Sequence, residues 1–285
     1  MNMNKTLAFL RLMRPLNCIM VGFAVIVGAT LADAKGLGNG WLKLVFGFVT
    51  GFALTAASMA INDYFDRKID EVNEPNRPIP SGAVKPSEAL FLATVLTLVG
   101  FLFAFLTSWM CVLGAAVAWL AFVAYTTVGK RSGLLGNLLV SACVAMPLIY
   151  GSIVIVGTVP LSIWIFAVMA FLANTGREIT KGIVDIEGDK AQGIKTLAVR
   201  YGSKRAMWAA VIFYVSATVL SPIPLLLNIV SAWYLPFAAV TDVGLWFSSA
   251  RLMKDYSRES ARKVKNNVLL LLLVGLLAFI AGSVG

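Results

Sequence analysis

Residues 44–70 read LVFGFVTGFALTAASMAINDYFDRKID: eighteen residues without a charge, then nine that carry five. A bilayer's hydrocarbon core takes ~20 apolar residues of helix to cross, so the first part reads as a membrane span. A transmembrane strand would be ~9–11 residues of alternating pattern, and this run is too long and too evenly apolar for that. The charges that follow return the helix end to water. This segment therefore couples a membrane span to a carboxylate-rich tail.

Working outward, similar runs recur to give about nine spans, centred near Ala24, Phe52, Thr97, Val117, Met146, Ala167, Phe213, Ala238 and Val274. The predicted fold is an all-α integral membrane protein with about nine transmembrane helices in a bundle. Composition agrees: 59% of the 285 residues are hydrophobic and 13% charged, against ~25% charged in a soluble domain. That excludes a cytosolic globule, a disordered chain and a disulfide scaffold. At the start, MNMNKTLAFLRLMRP places Arg11 and Arg14 inside the apolar stretch and offers no small-residue cleavage site. The first span is read as retained.

An oily chain with a net charge of +10 must keep that charge out of lipid. Nine spans put the N-terminus and segments 66–88, 129–133, 177–206 and 251–265 on one side. That side holds 22 of the 24 Lys and Arg; the other holds Lys35 and Lys43. The positive-inside rule makes the rich side cytoplasmic, with the C-terminus outside, in a multi-pass cell-membrane protein. Two long polar loops lie on this side, about 122 residues or four helices apart. The spacing suggests one domain, 1–285, made of four-helix halves 1–128 and 134–250 and a ninth helix 262–285.

The chain has no histidine, which removes imidazole bases, Ser-His triads and His metal sites. Cys18, Cys111 and Cys143 lie in apolar runs without metal-ligand spacing and read as inert thiols. Any metal would be held by oxygen, which favours Mg, Ca or Mn. Two motifs supply that oxygen. Asn62 opens the first, in which Asp63, Asp66 and Asp70 fall at i, i+3 and i+7, on one helical face. Asp185 and Asp189 of the second are i and i+4. Unpaired carboxylates on one stripe repel each other, and a hard cation among them removes the repulsion. Mg2+ suits the set because it completes its shell with water and substrate phosphate. The twelve-position pattern of an EF-hand is absent.

Basic residues flank both motifs. Arg77 follows the first, in a loop shaped by three prolines, Pro75, Pro78 and Pro80. Lys130 and Arg131 end the fourth span, and Arg177, Glu178 and Lys181 precede the second motif. Mg2+ with Arg and Lys at a membrane-buried pocket is what a diphosphate requires. A prenyl diphosphate has a charged head for the surface and an apolar tail for the bilayer. An allylic cation needs a dry, π-rich pocket, for which Tyr64, Phe65, Tyr125 and Tyr150 are candidates.

These residues carry a resemblance. Asn62-Asp63-x-x-Asp66-x-x-x-Asp70, Arg77-Pro78-Ile79-Pro80-Ser81-Gly82 and Asp185-x-x-x-Asp189 resemble the UbiA superfamily of membrane prenyltransferases. Arg14-Pro15-Leu16-Asn17 looks like that family's opening signature. The resemblance spans nearly the whole chain. It implies nine helices around a central cavity, two cytoplasmic cap loops, and Mg2+-dependent prenyl transfer. It makes Asp63, Asp66, Asp70, Asp185 and Asp189 the metal ligands, with Asn62 beside them. Arg67, Arg77, Lys130, Arg177 and Lys181 would contact the diphosphate or an acceptor phosphate, and Arg14 and Asn17 would line the cavity near the acceptor.

Within the superfamily, Arg177-Glu178-Ile179-x-Lys181, Asp185-x-Glu187-Gly188-Asp189, Lys195-Thr196-Leu197 and Tyr201-Gly202 look like the archaeal digeranylgeranylglyceryl phosphate synthases. That implies geranylgeranyl transfer from geranylgeranyl diphosphate to the 2-hydroxyl of geranylgeranylglyceryl phosphate, with both substrates reached from the bilayer and no nucleic acid. Gly182 stands where the family often has Asp, so Glu187 is a candidate replacement. The first loop also resembles that of chlorophyll synthases, which leaves an aromatic or chlorophyllide-like acceptor as the alternative. A transporter is a further reading, in which the intramembrane Asp242 marks an ion path. Transporters place their charges near the midplane, whereas here the charge clusters lie at helix ends.

Overall fold

The computed structural model describes residues 4–127, 129, 132–191 and 193–283, apart from the side chains at 69, 72 and 73. Among these residues there are only helices. Nine have eighteen residues or more: α2 (Pro15–Ala32), α3 (Trp41–Asn73), α4 (Pro86–Thr107), α5 (Trp109–Thr127), α6 (Leu134–Val156), α7 (Leu161–Val184), α10 (Ser203–Leu220), α12 (Tyr234–Lys254) and α13 (Arg258–Ser283). One passes through each centre expected from the sequence. Seven of the nine are long and apolar enough to cross a membrane. The others, α7 and α12, are as long but more polar. Four short helices complete the chain: α1 (Lys5–Met13), α8 (Ile186–Ala191), α9 (Leu197–Tyr201) and α11 (Ile223–Leu226).

Local chemistry sets the helix ends. Asn4 caps α1 by accepting from Thr6 N at 3.1 Å. Pro15 and Pro86 start α2 and α4, where a missing N–H costs nothing. Arg14 joins α1 to α2 in the left-handed conformation at φ 52°, a region that non-glycine residues seldom occupy. The junction turns α1 away from the line of α2, so α1 packs on α3 and α4. Ala8 and Leu12 bury against Ala60, Ile79, Val84, Ala89 and Ala93. The sequence places the first span at Ala24, within α2, and gives no separate helix for residues 5–13.

Small residues govern the packing, as expected where lipid supplies no hydrophobic drive between helices. A Cβ on Gly28 of α2 would land on the Leu148 carbonyl of α6, and one on Gly151 of α6 would land on the Val25 carbonyl. The two backbones are therefore in direct contact. Large apolar side chains point outward instead: Phe91, Leu98, Phe105, Trp109, Leu161 and Phe247 are all more than 60% exposed. So large an apolar outer surface fits immersion in lipid. This is a multi-pass membrane protein.

Candidate active site

The helices enclose a cavity of about 1020 Å3. Along α7 its wall runs from Asp185 to Met169, roughly 24 Å at 1.5 Å per residue. One end is charged; the other is walled by Leu148, Met169, Leu276 and Phe279. Asp242, Thr241, Ser221 and Tyr234 line it as well, and the Tyr234 hydroxyl donates to the Ser221 carbonyl at 2.9 Å.

Ten residues expected from the sequence meet at this wall: Arg14, Asn17, Asn62, Asp66, Asp70, Arg77, Arg177, Lys181, Asp185 and Asp189. The first motif sits in the last turns of α3. Asn62 donates to Asp66 at 2.9 Å and Arg77 donates to Asp70 at 2.6 Å. Burial alone would lower the Arg77 pKa, but Asp70 and Asp63 outweigh it and the net direction is up. Asp185 caps α7, and Asp189 N donates to its carbonyl at 2.8 Å, so both aspartates lie on one continuing turn. On α7, Arg177 pairs with Glu178 at 2.7 Å and Lys181 with the same carboxylate at 3.6 Å. The Nε of Arg177 is buried and, among the described residues, lacks a hydrogen-bond partner. A donor left unmet at the wall of a cavity suits an anionic ligand.

Two expected residues are placed differently. Asp63 is not on the cavity wall. It is 2% exposed, accepts from Arg14 at 2.5 Å and faces Arg77 at 3.8 Å. Arg67 lies over the Tyr64 ring at 4.3 Å and donates to the Tyr64 carbonyl. Lys130 lies outside the described residues, as does Arg131. Of the aromatics, Tyr125 lines this cavity, Tyr150 lines a second one, Tyr64 packs against α1, and Phe65 is half exposed. Gly182 is buried beside Thr196, 3.6 Å from where its Cβ would be. It is not on the wall, whereas Glu187 is.

Sequence reasoning passed over Glu74, Arg258 and Arg262, which also line the charged end. The available signal was the i, i+4 spacing of the two arginines, the same spacing that marks Asp185 and Asp189. A second cavity, of about 690 Å3, lies on the far side of α6, with Leu54, Leu113, Met146 and Tyr150 in its wall. Both cavities border on Val21, Thr55, Ser58, Phe122, Cys143 and Pro147.

The donors Asn62, Asp66, Asp70, Glu74, Asp185, Glu187 and Asp189 are all oxygen, which fits Mg2+ and disfavours softer ions. Fold and site together define an integral membrane protein with one lumen that is charged at one end and apolar at the other. Residues 21–282 match the model of the UbiA prenyltransferase family, and the chain belongs to that family. It is therefore a prenyltransferase. It is similar to the digeranylgeranylglyceryl phosphate synthase of Archaeoglobus fulgidus, with 37% identity over 93% of this chain and 91% of that one. A solved structure of a digeranylgeranylglyceryl phosphate synthase superposes with TM-score 0.81 at 30% identity, over 99% of each chain. A UbiA homologue from Archaeoglobus fulgidus bound to GPP and Mg2+ shares the fold, with TM-score 0.69 at 18% identity over 96% and 99% of the chains.

Proposed function

We propose that this protein transfers a geranylgeranyl group from geranylgeranyl diphosphate to the 2-hydroxyl of geranylgeranylglyceryl phosphate, giving digeranylgeranylglyceryl phosphate for archaeal ether lipids. The observation that carries this reading is a cavity with carboxylates and arginines at one end and apolar walls at the other. Relatives at 37% identity over most of the chain bear that activity in their names.

Asn62, Asp66, Asp70, Asp185 and Asp189 would hold Mg2+, which when bound neutralises the diphosphate charge. Arg77, Arg177 and Lys181 face the diphosphate and stabilise the charge that grows as the C1–O bond breaks. The apolar walls keep water from the allylic carbon, and Phe122 and Tyr125 line the lumen as π surfaces. The acceptor oxygen then bonds to C1. Its proton passes to the departing diphosphate or to a motif aspartate on the wall. The charged end of the cavity faces the cytoplasm, the side to which the sequence assigns 22 of the 24 Lys and Arg, and all nine long helices cross the membrane.

The test is an in vitro assay of purified protein with geranylgeranyl diphosphate and a panel of acceptors, read by mass spectrometry. Geranylgeranylglyceryl phosphate should be the preferred acceptor. Turnover confined to phosphate-free aromatic acceptors overturns the reading.

A further inference from the structure

Prenyl transfer to a lipid phosphate brings two phosphate groups to one cavity, the diphosphate of the donor and the monoester of the acceptor. The two aspartate motifs with Arg77, Arg177 and Lys181 answer to the first. The second is not accounted for by them.

The wall of α13 answers to it. Its cavity-lining residues are Arg258, Arg262, Leu269, Leu272, Leu273, Leu276 and Phe279, with Gly275 and Ala278. Arg258, Arg262, Leu269, Leu272, Leu276 and Phe279 are three, four or seven residues apart, so they form one face of the helix. That face is charged for its first turns and apolar below. From Arg262 to Phe279 it runs roughly 25 Å, enough to follow a lipid from its phosphate down its chain.

Arg258 and Arg262 are i, i+4 on this face, and like charges at that spacing repel. The relief available within the chain is slight. Among the described residues Arg258 forms an ion pair only with Glu187, at 3.7 Å, and that carboxylate is 88% exposed, a pair worth little in water. Arg262 has no ion pair among the described residues. Lys263, next in sequence, is different: it pairs with Glu259 at 2.7 Å and is not on the cavity wall. A helix that served only to mark membrane orientation would not need its unmatched pair to face inward.

We propose that Arg262, with Arg258 one turn nearer the mouth, clamps the phosphate of the acceptor lipid, and that the apolar stripe below it carries that lipid's chain. The proposal rests on the functional reading above and names its acceptor subsite.

The experiment uses the full chain in detergent, with donor and acceptor varied separately, and the phosphate-free analogue geranylgeranylglycerol as a second acceptor. In Arg262→Gln the KM for geranylgeranylglyceryl phosphate should rise roughly ten- to hundredfold. The KM for geranylgeranyl diphosphate should stay within about twofold, and turnover of geranylgeranylglycerol should match wild type. Arg262→Lys should restore part of the loss, and thermal melting establishes that each variant is folded. A rise in the donor KM, an equal loss with the phosphate-free acceptor, or an unchanged acceptor KM in the Arg258→Gln, Arg262→Gln double variant overturns the clamp alone. A wild type that ignores every lipid phosphate overturns the functional reading and the clamp with it.

Discussion

Arg14 donates to Asp63 across 2.5 Å, tying the α1–α2 junction to the end of α3. The two residues are 49 apart in sequence, so the bond closes a long loop. Asp63 is almost wholly buried and Arg14 about a third exposed in its side chain. Removing Asp63 strands a partly buried cation, and the cost should be about 1–3 kcal/mol, reduced from the fully buried case by water at Arg14. Asp63→Asn should therefore lower the melting midpoint in detergent, whereas Asp66→Asn should leave it near wild type. Equal melting of the two variants would contradict the structural role given to Asp63.

Asp66 and Asp185 face the lumen from two different helices. Asp66→Ala and Asp185→Ala should insert normally and lose prenyl transfer by on the order of a hundredfold or more. Near-wild-type rates in either variant would remove that residue from the metal site.

EDTA should abolish transfer and added Mg2+ restore it, because every donor at the charged end is an oxygen. Activity that survives thorough chelation would exclude metal-assisted loss of diphosphate.

At Gly28 and Gly151 a Cβ would meet backbone rather than a movable side chain. Alanine at either should force α2 and α6 apart and cost roughly 1–3 kcal/mol. Gly38, with open space around it, is the control. The check is melting of the three alanine variants, and the pairing is wrong if Gly38→Ala is as damaging as the other two.

Sidedness is testable with single cysteines in a chain whose three native ones are replaced. Gly38→Cys should react with an impermeant maleimide added outside the cell, and Ser257→Cys only after the membrane is opened. The opposite pattern reverses the proposed orientation.

Seven of the spans were legible because each carries a long apolar run. The site was legible where function and helical period coincide, as at Asp66, Asp70, Asp185 and Asp189. It was not legible where a distant partner decides orientation. Asp63 shares a helical face with Asp66 and Asp70, but Arg14 turns it out of the lumen. Arg67 has the composition of a phosphate ligand, yet its own neighbour Tyr64 holds it. Arg258 and Arg262 read as orientation markers, since nothing local says which way a helix face is turned. Polar residues leave α7 and α12 outside the seven helices apolar enough to cross a membrane, and both helices wall the lumen.

The contact between α2 and α6 has a bearing on how substrate range can change. On α6, Val144 and Leu148 border the larger cavity, while Met146, Ile149 and Tyr150 border the smaller. Val21 of α2 and Cys143 and Pro147 of α6 border both cavities, as do Thr55, Ser58 and Phe122. A substitution at one of these shared positions reshapes both bores at once, whereas one at Leu148 or Met146 reaches a single bore. The two chambers are thus coupled evolutionary dials along their common wall and independent ones away from it.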